Sequence, residues 1–194
     1  HGTDRHPEVA ACLHALGGVL HAQGDLPAAR AALERSLAIR AEVHGTDRHP
    51  SFAANLQALG GVLQALGDLP AARAALERSL AIQAEVHGTD RHPNVAAGLH
   101  ALGGVLHAQG DLPAARTALE RSLAIQAEVH GNDKHPQVAV TLHCLGGVLH
   151  AEGDLPAARA AIERSLAIKA EVHGARHPEA AVSLYALGEV LHAQ

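Results

Sequence analysis

Apolar residues fall in two rhythms along this chain, and both return about every 43 residues. In the first, Val9, Leu13, Leu16 and Leu20 stand three and four apart, the interval that puts side chains on one face of an α-helix. In the second, Leu26, Ala29, Leu33, Leu37 and Ile39 mark another buried stripe. Gly24-Asp25-Leu26-Pro27 separates them. Gly24 stops one helix, Asp25 is placed to cap the next, and Pro27 presets its first turn. Each first helix opens at His-Pro, at Pro7, Pro50, Pro93, Pro136 and Pro178. There a missing N–H costs nothing, and Glu8 favours the positive end of the helix. Each second helix closes near His44-Gly45, with Gly45 in the left-handed C′ role, and Thr46-Asp47-Arg48-His49 leads to the next proline. His44, His87, His130 and His173 sit at the negative ends of second helices and read as structural. The pattern predicts nine helices: four pairs, then a lone first-type helix from Pro178 to Gln194.

The stretch Leu13–Arg30 recurs from Leu56, Leu99 and Leu142, and in truncated form from Leu184. The units are 1–43, 44–86, 87–129, 130–172 and a half unit, 173–194. Each unit buries its apolar face on its neighbours, so the core is a ribbon and the chain one array. The expected class is all-α, an α-α superhelix or solenoid. Opening at a repeat boundary without Met and ending inside a repeat, the sequence reads as a piece of a longer protein.

Two glycines in mid-helix cost about 1 kcal/mol each relative to Ala. Gly17 borders the apolar stripe, where a missing side chain lets the partner helix approach opposite Ala29; Gly18 lies elsewhere on the helix. Arg30 and Glu34 form an exposed i,i+4 pair worth a few tenths of a kcal/mol.

Composition narrows the function. Apolar residues make up 47% of the chain, mostly Ala, Leu and Val, with one Phe, one Tyr and no Trp or Met. Small side chains suit close helix packing. The formal charge of −5, with 15 Lys and Arg spread evenly, argues against a nucleic-acid partner. No apolar run approaches a membrane span, and the sequence as it stands reads as carrying no signal peptide. Cys12 and Cys144 lie three repeats apart, too far to bridge at roughly 10 Å per helix layer. They read as small-residue drift in a reducing, cytoplasmic setting. The 17 histidines are the anomaly.

At Leu13, Leu16-Gly17, Leu20, Ala29, Leu33 and the Gly24-Asp25 turn, the chain resembles the tetratricopeptide repeat (TPR) family. It departs in two places: Leu holds the aromatic positions, and Ala41 stands where the 34-residue form has its closing Pro. The longer unit and the Asp4–Ala10 linker resemble the 42-residue variant of kinesin light chains and many bacterial proteins. The resemblance implies that the linker histidines His6, His49, His92, His135 and His177 are structural, and that the protein is a protein- or peptide-binding scaffold. The carboxylate-clamp residues of chaperone-binding members have no counterpart here.

A helical wheel locates the free face. At 100° per residue, Val9, Leu13, Leu16 and Leu20 cluster, and Ala11, His14, Gly18 and His21 lie roughly opposite. In the family that face lines the concave surface. Its first column is His14, Gln57, His100, His143 and Tyr185; its second is His21, Gln64, His107, His150 and His192. Gly18, Gly61, Gly104, Gly147 and finally Glu189 lie between them. These residues read as polar, planar walls over a glycine floor that lets another chain approach. Three readings of the histidines stand open: a solvated face, contacts to an organic ligand, and metal ligation. The last is disfavoured, because i,i+7 spacing separates a pair by about 10 Å, with no evident third ligand.

No Ser/His/Asp or Cys/His set and no phosphate loop stands out, so the chain reads as no enzyme and implies no cofactor. Nucleic-acid binding lacks the aromatic and basic residues it needs, and no membrane partner is expected. The main expectation is a scaffold that takes a peptide, from another protein or another domain of the parent. The alternative is a spacer that self-associates through its end repeats into homo-oligomers.

Overall fold

The computed structural model describes residues 6–44, 48–131, 134–173 and 178–193. Among them are nine helices and no strand: α1 (Pro7–Ala22), α2 (Leu26–His44), α3 (Pro50–Ala65), α4 (Leu69–His87), α5 (Pro93–Ala108), α6 (Leu112–His130), α7 (Pro136–Glu152), α8 (Leu155–His173) and α9 (Pro178–Ala193). They form two compact units, His1–Asp90 with α1 to α4 and Arg91–Gln194 with α5 to α9.

The punctuation acts locally as its chemistry requires. Nδ1 of His6, His49, His92 and His135 accepts a hydrogen bond from the backbone N–H two residues on, at 3.1–3.3 Å, and so caps α1, α3, α5 and α7. His177 lies outside the described residues. Oδ1 of Asp25, Asp68, Asp111 and Asp154 caps the second helices at 3.2–3.4 Å. Gly24, Gly67, Gly110 and Gly153 make the intervening turns with φ of +79° to +82°, where any other residue is strained. Gly88 and Gly131 end α4 and α6 in the left-handed conformation; Gly45 lies outside the described residues.

Both compact units are built from the same two kinds of packing. The two helices of a pair lie along each other, and a second helix also packs on the next first helix, as α2 does on α3, α6 on α7 and α8 on α9. Leu33 and Leu76 are wholly buried in the first unit, as are Leu119 and Ile162 in the second. Gly17, Gly60, Gly103 and Gly146 face these residues. A Cβ on any of the four glycines would lie 2.5–2.7 Å from the facing side chain. The close neighbour is therefore Leu33 rather than Ala29, whose carbonyl oxygen is 3.4 Å from the added atom at Gly17.

The apolar stripe of the first helices holds in the interior and fails at the end. Leu59 is 8% exposed, whereas its counterpart Leu16 on α1 is 47% exposed. A first helix needs a preceding repeat to bury that edge. A further column, Val62, Val105 and Val148, is buried although the sequence stripe left it out. The i,i+4 pairs form at 2.7–2.9 Å from Arg30–Glu34 to Arg159–Glu163. They are solvent-exposed and contribute little. Among the described residues, no helix is long and apolar enough to cross a membrane.

Candidate binding face

The second column behaves as a face. In the first unit His21 is exposed and Gln64 half-buried; in the second, His107 and His192 are exposed and His150 half-buried. The imidazoles of His21 and His107 lie along the backbone of the following repeat. His21 Cε1 is 3.9 Å from the place of a Cβ on Gly61, and His107 Cε1 is 3.8 Å from that on Gly147. The glycine floor is thus bare at Gly18, where nothing comes within 4 Å, and edged by a ring at Gly61 and Gly147.

The first column is more deeply set than a free face. His14, Gln57, His100 and His143 are all half-buried. A wheel drawn for one helix pair divides its surface in two. Within each unit a first helix also meets the next first helix: α1 meets α3, α5 meets α7 and α7 meets α9. The column sits at that joint. Thr141 Oγ1 donates its one hydrogen to the Gln137 carbonyl oxygen at 3.0 Å. It therefore accepts from Gln126 Nε2 at 3.1 Å and from His100 Nδ1 at 3.2 Å. This fixes His100 in the Nδ1–H tautomer and leaves Nε2 as an acceptor. In the first unit, Gln57 Oε1 accepts from Gln83 Nε2 at 3.4 Å.

The second unit gathers four of the expected residues around one cavity. It measures about 210 Å³ and is lined by Gly104, His107, His143 and Gly147, together with Gly103, Leu119, Cys144 and Val148. His100, His150, Tyr185, Glu189 and His192 do not line it. Tyr185 on α9 is 72% exposed, and Glu189 is exposed. Burial, with a smaller push from the Lys169 cation, holds His143 below the ordinary imidazole range. Burial alone does the same for His100. Burial pushes the Cys144 thiol up and keeps it protonated, against a smaller opposite pull from Lys169. His130 at the end of α6 stacks on His135 with ring centroids 3.6 Å apart. Among the described residues, no three His, Cys, Asp or Glu side chains stand together as a metal site.

Sequence reading missed the buried polar residues behind this face. Ser36, Ser79, Ser122 and Ser165 are fully buried, and each Oγ donates to a first-helix carbonyl at 2.7–2.8 Å. One turn on stand Arg40, Gln83, Gln126 and Lys169; the last three are buried. The available signal was the i,i+3 spacing of each serine from Leu33 and its equivalents on the apolar stripe.

Profiles of the Tetratricopeptide repeat family match residues 51–135 and 137–194, and a further one matches residues 9–51. The crystal structure of the nearly identical TPR-like repeats of a kinesin light chain-like protein from Podosopora anserina has a TM-score of 0.80 at 30% identity. It covers 97% of this chain and 88% of that one. A single-substitution form of the same Podosopora anserina repeats gives 0.81 at 29% identity, over 97% and 87%. BtubC (BKLC) from P. vanneervenii gives 0.82 at 20% identity over 96% and 73%, a likeness of fold alone. No curated protein matches. The chain belongs to the tetratricopeptide repeat family, in its kinesin light chain-like variant. Proteins of this family are generally non-catalytic scaffolds for protein–protein interaction.

Proposed function

We propose that the chain is a non-catalytic scaffold whose first-helix face takes a peptide or an extended partner segment, from another protein or another domain of the same one. In the second unit the seat is Gly104, His107, His143 and Gly147, flanked by His100, His150, Tyr185, Glu189 and His192. In the first unit it is His14, Gly18, His21, Gln57 and Gln64. The carrying observation is the 210 Å³ cavity with two imidazole walls and a glycine edge. Such a cavity accepts one side chain, while the imidazoles hydrogen-bond a neighbouring main chain. The acidic balance and the lack of a basic block favour a protein over a nucleic acid or an anionic membrane, and the two free thiols suit a cytoplasmic setting. The test is chemical-shift mapping of peptides selected from a random library against the whole chain. The reading expects shifts at His107, His143 and Gly147; shifts confined to the second helices contradict it.

One observation favours a second reading, self-association through the ends. Leu16 and Val19 on α1, and Val182, Leu184 and Leu191 on α9, are 46–56% exposed. Light scattering over rising concentration separates the two readings, since end-to-end association predicts growing oligomers and a peptide scaffold a constant mass.

A further inference from the structure

The joint of α5, α6 and α7 holds a second cavity, of about 220 Å³. It is lined by Pro93, Ala96 and Ala97 of α5, Gln126 and His130 of α6, and Gln137 of α7. At about 100° per residue, Pro93 and Ala97 fall on the same side of α5 as Gly104 and His107, and Gln137 on the same side of α7 as Cys144. This cavity and the one beside His107 and His143 therefore lie along one groove. His100 and Thr141 stand between the two sets of lining residues on their helices, and their 3.2 Å hydrogen bond joins α5 to α7 there.

The separation of the two cavities selects a backbone. On each of the three helices the lining shifts by about nine residues from one cavity to the other, roughly 13–14 Å along the helix. On α6, for example, it passes from Leu119 to Gln126 and His130. Side chains on one face of an extended strand recur at about 7 Å and again at about 13–14 Å. An α-helix returns a side chain to the same face at roughly 10–11 Å, and a polyproline helix at about 9 Å. The strand matches, with two side chains four residues apart.

The chemistry of the two cavities differs. Leu119, Cys144 and Val148 give the first an apolar wall. The second has Gln126, which is 5% exposed. Its Nε2 donates to Thr141 Oγ1 at 3.1 Å, and its Oε1 has no hydrogen-bond partner. A buried carbonyl left without a donor is costly. No Asp, Glu, Lys or Arg is among the lining residues of either cavity, so a charged side chain would be desolvated there without a counter-charge. A side-chain amide is neutral, donates an N–H to Gln126 Oε1, and offers its own oxygen to the Gln137 amide. We propose that the partner is an extended segment carrying an apolar side chain and a side-chain amide four residues apart, the first in the cavity beside His107 and the second in the cavity beside Gln126. The inference rests on the reading of the first cavity as a peptide seat.

The test selects peptides on the whole chain from libraries in which leucine and glutamine are fixed two to six residues apart, in either order, with random residues elsewhere. A separation of four should be enriched at least about tenfold over three and five. The best peptide, titrated into the labelled chain, should move His107 and Gly147 together with Ala97 and the Gln126 side-chain amide. Replacing its glutamine by alanine should weaken binding about tenfold and leave the Gln126 amide unmoved. Ala97→Leu, an exposed position at the edge of the second cavity, should abolish that tenfold difference between the two peptides. Enrichment that ignores spacing or peaks elsewhere overturns the proposal. So do shifts at His107 and Gly147 without any at Ala97 and Gln126, a result that leaves the peptide seat itself standing. Shifts at neither cavity, or libraries that yield no binder, overturn both readings. The titration of the unmodified chain decides the matter even where the Ala97 variant fails to fold.

Discussion

Gly60 and Leu76 stand so close that a Cβ on the glycine would fall 2.7 Å from Leu76 Cγ. At Gly61 the nearest atom to an added Cβ is His21 Cε1, at 3.9 Å. Two neighbouring glycines in one helix therefore answer to different forces. Gly60→Ala should destabilise by about 1–3 kcal/mol through overpacking. Gly61→Ala should stabilise by about 0.5–1 kcal/mol, because the helix gains alanine's propensity without a clash. Urea unfolding of the two variants checks this, and shifts of the same sign would refute it.

Thr141 is the hub of the α5–α7 joint. Thr141→Val keeps the shape and removes the acceptor that serves Gln126 Nε2 and His100 Nδ1. Two donors lose their partner, and the expected cost is about 2–4 kcal/mol. Imidazole nitrogen chemical shifts should also show His100 leaving the pure Nδ1–H tautomer. A neutral result in both readouts would mean the network is not formed.

The linker histidines His6, His49, His92 and His135 act as helix caps. His92→Ala should cost about 1 kcal/mol by removing the Nδ1 acceptor for Asn94 N–H. His92→Asn, which restores a capping oxygen, should recover most of it. Equal losses in the two variants would assign the residue some other role.

Stability should fall in mild acid. Burial holds His100, His143 and His130 below the ordinary imidazole value; Lys169 adds to this at His143, and His135 at His130. The unfolded chain takes up protons at the ordinary value, near 6.5. It therefore binds more protons than the fold once the pH drops below that value. The contribution is complete above 6.5, falls as the pH descends towards the lowered folded values, and levels off beneath them. Tm should be flat from pH 8 to 7 and should decline between 6.5 and 5. His100→Gln, which copies Gln57, should reduce the slope. A Tm constant or rising into acid would contradict this.

The helices were legible because their boundaries are local chemistry. His-Pro, Gly-Asp-Leu-Pro and His-Gly each act within one turn, and α1 to α9 begin where those signals stand. The close approach at Gly17 was legible for the same reason, though its neighbour proved to be Leu33. The joints were not. Whether His14 or His100 faces solvent depends on the next repeat, and a two-sided wheel has no place for a third neighbour. The serine column was hidden likewise, since Ser36 donates to the carbonyl of Ala10, 26 residues away.

The central claim is that the first-helix face around His107 and His143 is where this repeat array takes its partner. The direct measurement is the Kd of library-selected peptides for the unmodified chain and for His107→Ala with His143→Ala, with circular dichroism confirming that the fold is unchanged. The account predicts at least a tenfold loss of affinity, about 1.4 kcal/mol. An unchanged Kd in a folded double variant would contradict it.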